Sequence, residues 1–354
     1  MVDLQRRPNL GTATVIRANA RDLPLADNTV DLVVTSPPYF ALRSYQDGGE
    51  HYAGQIGDEP TPAEFVDSLI EVTRECVRVL KPSGSLWVNL GDKYSATSSP
   101  GPQSQKSTMN GRHKGVDDVL PRRISPGAPP KSLIGIPWRY ALRCIDDLGL
   151  ILRAEVIWSK PNGLPESVTD RVRRSHEQWF HFTLNPRYFS AVDEIREPHL
   201  MTGKAIPSTR LLDATGQGSA GSNIGARGWT GDDANPLGKL PGSVWTIPTE
   251  PLRVPDHIGI DHFAAFPTEW PKRIIRSWSP EGGTVLDPFG GTGTTAMVAK
   301  ALGRHGITID MSADYCRLAD WRTNDRNQLA KVLGLDKIEQ QDPDQLDLFG
   351  EAHA

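Results

Sequence analysis

The stretch VLDPFGGTGTTAMVAKALG, Val285 to Gly303, reads as a buried strand, a glycine-rich turn and a helix in immediate succession. Gly290, Gly291 and Gly293 let a ligand approach the backbone where the helix begins, and a helix N-terminus is positively polarised. A small polar or charged cofactor is the expectation. A phosphate-binding P-loop needs Gly-Lys-Ser/Thr, and the first lysine here is Lys300, far down the helix. A dinucleotide fingerprint is also weak, because Asp287 and Pro288 stand where its first glycine would be and the GxGxxG spacing is absent. A turn that is merely tight is the plain alternative. Beyond the helix, GITIDMS ends another strand with Asp310. A carboxylate there can take both hydroxyls of a ribose, although an ordinary strand-end or capping acid would look the same.

A second stretch, DLVVTSPPYF from Asp31 to Phe40, drives an apolar strand into two prolines and an aromatic ring. Proline fixes its own φ at about −65° and holds the preceding residue extended, so Ser36-Pro37-Pro38 is stiff and presents a hydroxyl and carbonyls in fixed directions.

Strand and helix signals alternate around these two stretches, the pattern of a parallel sheet covered on both faces. The candidate strands are TATVIRA, VDLVVTS, GSLWVNLG, LRAEVIWSK, EQWFHFTLN, GTVLDPF and RHGITIDM. TPAEFVDSLIEVTRECVRVLKPSG fits a helix with Thr61 as N-cap, an apolar stripe of Phe65, Leu69, Val72 and Val79, and a stop at Pro82 and Gly84. IPWRYALRCIDDLG and GTTAMVAKALG fit two more, each closed by glycine. Ser95 to Pro130, and Gly203 to Gly242 with nine glycines, show neither period and read as long inserted loops. In such a sheet, ligands sit outside the carboxyl ends of the strands where strand order reverses. VLDPF and VVTSPPY would be neighbours across that point and face one crevice.

With 354 residues, 38% hydrophobic and 23% charged, the chain can bury a sizeable core. No run approaches the ~18 apolar residues of a membrane span, and Met1 to Leu10 lacks the apolar core of a signal peptide, so a cytoplasmic location is expected. Cys76, Cys144 and Cys316 are too far apart to suggest a disulfide framework or a zinc site, and no metal is expected. The net charge of −4 hides an uneven distribution. Six Lys or Arg face two aspartates between Ser95 and Lys131, whereas six acids face one lysine from Leu333 to Ala354.

These residues resemble a family. DPFGGTGTT is similar to the S-adenosylmethionine-binding motif, and TSPPY to the catalytic motif, of the DNA methyltransferases that modify exocyclic amines. RANARDLPLADNTVDLVVTSPPY, RVLKPSGSLWVNLGD, EVIWSKPNGLPESVTDRVRRSHE and FPTEWPKRIIRSW resemble further blocks, in the family's order. The catalytic block precedes the cofactor block, as in the beta class. The resemblance implies an α/β fold with a doubly wound, mostly parallel, seven-stranded sheet, circularly permuted, with inserted loops for target recognition. It divides a methyltransferase domain at 10–332 into a catalytic block (11–190), a target-recognition insert (about 191–255) and a cofactor block (256–332). A basic flexible loop (95–131) and an acidic tail (333–354) complete the chain.

The same resemblance implies roles for residues. Ser36, Pro37, Pro38 and Tyr39 would be catalytic: the Ser36 side chain and Pro37 carbonyl would hold the amine N–H groups and aim the nitrogen lone pair at the methyl carbon, while Tyr39 stacks on the base. Asp287, Phe289, Gly290, Gly291, Gly293 and Asp310 would hold the donor, joined by Thr35 and Thr294 beside the two motifs. Asp22 and Phe266 would add contacts. A base in a duplex must flip out to reach such a pocket, and basic or aromatic groups must replace the lost contacts. Candidates are Lys160 in IWSKPN, Arg171, Arg173, Arg174 and His176 in VTDRVRRSHEQW, and Arg227 and Trp229 in NIGARGWTG. His176 with Glu177 reads either as a base-pocket wall or as a pair on a helix surface, and each arginine could equally be a solvated surface group.

Cytosine C5 methylation uses a Pro-Cys nucleophile, and no cysteine here follows proline. Serine at the head of the catalytic motif resembles the N4-cytosine group, whereas aspartate is usual in the N6-adenine group, so N4-cytosine is expected and N6-adenine is the alternative. Methylation of RNA or protein amines, or a catalytically silent DNA-binding module, stands further back. Finally, QLDLF, with Gln345, Leu346, Leu348 and Phe349, resembles the peptide by which bacterial replication and repair proteins dock on the sliding clamp. A terminal apolar cluster folding back on the domain is the alternative.

Overall fold

The computed structural model describes residues 9–41, 46–47, 50–51, 54–95, 128–163, 165–199, 235–255, 258–260 and 265–335. Arg227, Trp229, most of the basic loop and the tail from residue 336, with its QLDLF stretch, lie outside the described residues.

In chain order the elements are β1 (Thr12–Arg17), β2 (Val30–Thr35), β3 (Gln46–Asp47), β4 (Glu50–His51), α1 (Pro62–Val79), β5 (Leu80–Leu90), α2 (Ile136–Asp146), β6 (Ile151–Ser159) and β7 (His176–Thr183). There follow β8 (Val244–Thr246), α3 (Glu269–Trp278), β9 (Thr284–Asp287), α4 (Thr294–Ala301), β10 (His305–Asp310), α5 (Ala313–Asn324) and α6 (Arg326–Leu333). β3 and β4 form a separate two-stranded pair, and the main sheet runs β1-β10-β9-β2-β5-β7-β6-β8. Pairing is parallel except at β5/β7 and β7/β6.

The sheet has eight strands where the sequence suggested seven. The addition, β8, is three residues paired with β6 at the edge, too short for a period to show. His176 and Glu177 also stand at the start of a strand, not on a helix surface. Residues 192–242 form a separate compact unit, held internally by pairing of Glu197 with Lys239 and by Arg196 donating to the Gly238 carbonyl at 2.7 Å.

Period-two alternation sorts the core. Leu86, Val88 and Leu90 of β5, with Phe180 and Phe182 of β7, join Phe65, Leu69, Val72 and Tyr140 of α1 and α2 in one buried cluster. The intervening Trp87 and His181 stack at 4.5 Å on the opposite face, where Trp278 of α3 meets Trp87. α1 begins with a complete capping box, Thr61 Oγ1 accepting from the Glu64 N–H while Glu64 accepts from the Thr61 N–H. No described helix is long and apolar enough to cross a membrane.

Strand order reverses between β2 and β9, which lie side by side with Val33 opposite Leu286. Two aspartates staple this junction. Asp31 accepts from the Thr284 N–H at 2.8 Å, and Asp287 accepts from the Thr35 hydroxyl at 2.7 Å.

Candidate active site

At the carboxyl ends of β2, β9 and β10 the chain opens into a cavity of about 120 Å³. Ser36 and Pro38 wall one part; Pro288, Phe289, Gly291 and Asp310 wall another. The two stretches, far apart in the chain, therefore face one crevice. Ala18, Asn19, Ala20, Arg21, Gly54, Gln55, Ile56, Met311 and Tyr315 complete the lining.

The glycine-rich turn is built for close approach. A Cβ on Gly290 would fall 1.6 Å from Thr308 Oγ1, and Gly291 and Gly293 have φ of +47° and +71°. Asp310 holds the turn by accepting the Gly291 N–H at 2.9 Å on one oxygen and the Ser312 N–H at 2.9 Å on the other. A carboxylate at one end of an otherwise mostly apolar wall suits a nucleoside, whose diol and flat base need those two environments.

Several residues anticipated as cofactor contacts lie behind this wall. Asp287 is buried, and besides Thr35 it accepts from the Phe289 N–H at 3.1 Å and the Thr295 hydroxyl at 2.9 Å. Burial pushes its carboxyl up to about 6, with Asp310 adding to the effect and the hydrogen bonds opposing it. Thr294 is buried under Arg322. Asp22 is exposed and off the cavity wall, its place taken by Asn19 and Arg21. Phe266 packs edge-on against Trp179, ring centroids 5.8 Å apart, and does not line the cavity.

A polar network surrounds the stretch from Ser36 to Tyr39. Asn89 Nδ2 donates to the Gln178 carbonyl at 3.1 Å, so its Oδ1 faces Ser36 and Tyr39 as an acceptor. Ser36 Oγ donates to it at 3.1 Å, and the Tyr39 hydroxyl lies 3.0 Å away. That hydroxyl also reaches Glu177 Oε2 at 2.7 Å, and Lys160 pairs with the other Glu177 oxygen while standing 4.0 Å from the Trp158 ring centre. Gly91 leaves room for the Tyr39 ring, since a Cβ there would meet Tyr39 Cε2 at 2.6 Å. Pro37 is buried behind the turn.

The candidate DNA contacts divide. Lys160 is committed to Glu177, and Arg174 turns inward to Gln178 and to Asp92, which caps α2 by accepting from the Gly135 and Ile136 N–H groups. Arg171 stacks 3.7 Å from the Tyr94 ring centre and pairs with Glu166, and Arg173 is exposed, donating to the Gly163 carbonyl. His176 is exposed, and partial desolvation together with Arg174 holds its imidazole below the usual range, against the pull of Glu177.

Asn89, Gly91, Asn19, Arg21 and Tyr315 were not anticipated. Asn89 alone left a signal: a lone amide in the apolar run SLWVNLG.

Comparison with known proteins gives one answer. A family of N6/N4 DNA methylases matches residues 30–320. The type II methyltransferase M.SmaI of Serratia marcescens is 35% identical over 317 residues, 89% of this chain and 91% of that protein. M.XycI of Xanthomonas campestris pv. cyanopsidis, also a type II methyltransferase, is 34% identical over 303 residues, 86% and 84% of the two chains. Among solved structures, the cytosine-N4-specific PvuII DNA methyltransferase shares the fold at TM-score 0.58 and 20% identity, covering 93% of this chain and 94% of that one. A putative DNA modification methylase from Thermus thermophilus, complexed with S-adenosyl-L-methionine, superposes at TM-score 0.51 and 22% identity over 93% and 97%.

Proposed function

The chain belongs to the N6/N4 DNA methylase family, and from that premise we propose that it moves a methyl group from S-adenosylmethionine to the exocyclic N4 of cytosine in duplex DNA. The observation that carries this reading is the polarity of Ser36. Because Asn89 Oδ1 is fixed as an acceptor, the Ser36 proton is committed to it, and the lone pairs of Oγ are left for an amine N–H. An amine held there and by the Pro37 carbonyl has its own lone pair turned out of the plane of the base, toward the donor. Tyr39, fixed by Glu177 and Asn89, offers its ring face to the flipped base.

On the donor side, Asp310 would take the ribose hydroxyls and the Gly290–Gly291 backbone would lie along the ligand. Asp287, Thr35 and Thr294 would act from behind by fixing the turn. Bound S-adenosylmethionine supplies an activated methyl group.

In this reading the catalytic block at 11–190 precedes the cofactor block at 256–332, a circular permutation of the doubly wound order, and the insert at 191–255 serves target recognition. Arg171, Arg173, Arg227 and Trp229 would meet the DNA backbone or the space left by the flipped base. The QLDLF peptide would tether the enzyme to a sliding clamp, and a peptide spanning Asp342 to Ala354 that fails to bind the clamp would end that part. For the reaction itself, tritiated methyl transfer should appear on duplex DNA and not on RNA or protein, and Tyr39→Ala should abolish it while donor binding persists. Normal turnover by Tyr39→Ala would remove the catalytic assignment.

A further inference from the structure

Helix α5 turns one face to the glycine-rich turn. Tyr315, Ala319 and Arg322 stand at i, i+4 and i+7. Tyr315 lines the cavity. Ala319 lies against Gly293, where a glycine Cβ would come within 2.9 Å of the alanine Cβ. Arg322 runs beneath the turn, and its Nη1 donates to Thr292 Oγ1 at 2.7 Å and to Thr294 Oγ1 at 2.6 Å.

Arg322 is unusual for a buried cation. It is 3% exposed, its Nε has no hydrogen-bond partner among the described residues, and none of their carboxylates forms an ion pair with it. Glu250 favours its charge without pairing with it, but burying a guanidinium without a paired acid is costly, and an apolar side chain would pack α5 against α4 without that cost. Thr292 Oγ1 and Thr294 Oγ1 meet each other at 3.0 Å across Gly293, whose φ is +71°, and what the arginine does that an apolar residue cannot is clamp that pair from beneath. Asp310 holds Gly291 from the β10 side, so the turn is gripped at both ends and its cavity face stays open.

We propose that Arg322 is a positioning residue for the methyl donor, locking Thr292-Gly293-Thr294 in the shape that receives it. This rests on reading the cavity as the S-adenosylmethionine site. It assigns Arg322 to donor affinity and not to the transfer step.

The test is calorimetric titration of S-adenosylmethionine into the full chain, with steady-state transfer to duplex DNA alongside. Arg322→Met should weaken donor binding about tenfold or more, because the donor must then order the turn itself. Its kcat at saturating donor and its KM for DNA should stay within about threefold of wild type. Thr292→Val with Thr294→Val should weaken donor binding similarly, and adding Arg322→Met to that pair should cost little more, because the groups act as one unit. Both hydroxyls are met by Nη1 alone, so Arg322→Lys, whose ammonium keeps the donors but stops short of the Nη1 position, should fall between. A structural role alone would lower the melting temperature and the folded fraction but leave the dissociation constant of the folded enzyme unchanged, and that result overturns the proposal. If Arg322→Met does not fold, the double threonine variant decides by the same criterion. Failure of wild type to bind the donor would remove the cofactor reading as well, whereas equal binding by wild type and Arg322→Met removes only this one.

Discussion

Ser36 and Asn89, 53 residues apart in the chain, share a hydrogen bond whose direction is set by a third group: the Gln178 carbonyl takes the Asn89 N–H, so the serine must donate. Asn89→Asp tests this. An ionised carboxylate at this position would face the Gln178 carbonyl with no proton to give. Protonating that carboxylate would restore the asparagine pattern. Transfer by the variant should fall by about a hundredfold at about pH 8 and recover as pH is lowered, against a wild-type rate that does not rise. A pH profile parallel to wild type would show that the Gln178 carbonyl does not orient the group at position 89.

Tyr39 and Glu177 provide a second prediction. Tyr39→Phe keeps the ring but gives up the contacts to Glu177 and Asn89, so kcat should drop about tenfold with donor affinity unchanged. Glu177→Gln should act in the same direction and also strand Lys160. A variant that changes donor binding instead would place the network on the wrong side of the cavity.

Gly91→Ala should be more damaging than its size suggests. The added Cβ meets a rigid ring, not the end of a flexible chain, so Tyr39 must move. Loss of kcat with near-wild-type donor affinity is expected, and full activity would contradict the described position of the ring.

Two buried groups should give opposite pH signatures. Asp287 titrates at about 6 in the fold, above its ordinary 3.8, so the stability linked to it is present below about pH 4 and lost as pH rises to about 6. Asp287→Asn should therefore gain on wild type across that window, by an amount on the order of 3 kcal/mol, and level off above it. Burial lowers His181 to about 3 from 6.5, so its stabilisation is present above pH 6.5 and fades as the medium becomes more acid. His181→Gln should flatten that acid limb. Denaturant unfolding between about pH 4 and about pH 8 reads both effects, and slopes of the reversed sign would show that burial does not govern these groups.

The parts of the fold that alternate or punctuate were legible in the sequence. GTVLDPF and VDLVVTS, buried on both faces, read as central strands, and Thr61 marked the start of α1; its end did not read, because the helix stops at Val79 and Pro82 and Gly84, expected to stop it, lie within β5. β8 did not read because three residues carry no period. The candidate site was legible in part where a motif is contiguous: of the residues anticipated in the two stretches, Ser36, Pro38, Phe289 and Gly291 reach the cavity. It was not where function depends on what an adjacent strand delivers: Asn89 matters because β5 lies between β2 and β7, and Asn19 stands on the wall instead of Asp22 because of where the chain turns after β1. Asp287 shows a further limit, since its place in the motif does not reveal that it is enclosed.

The most direct test is mass spectrometry of nucleosides from duplex DNA incubated with the enzyme and isotope-labelled S-adenosylmethionine. Label is expected in N4-methylcytosine and should be lost in Ser36→Ala. Label confined to N6-methyladenine, or absent from DNA while present in RNA or protein, would contradict it.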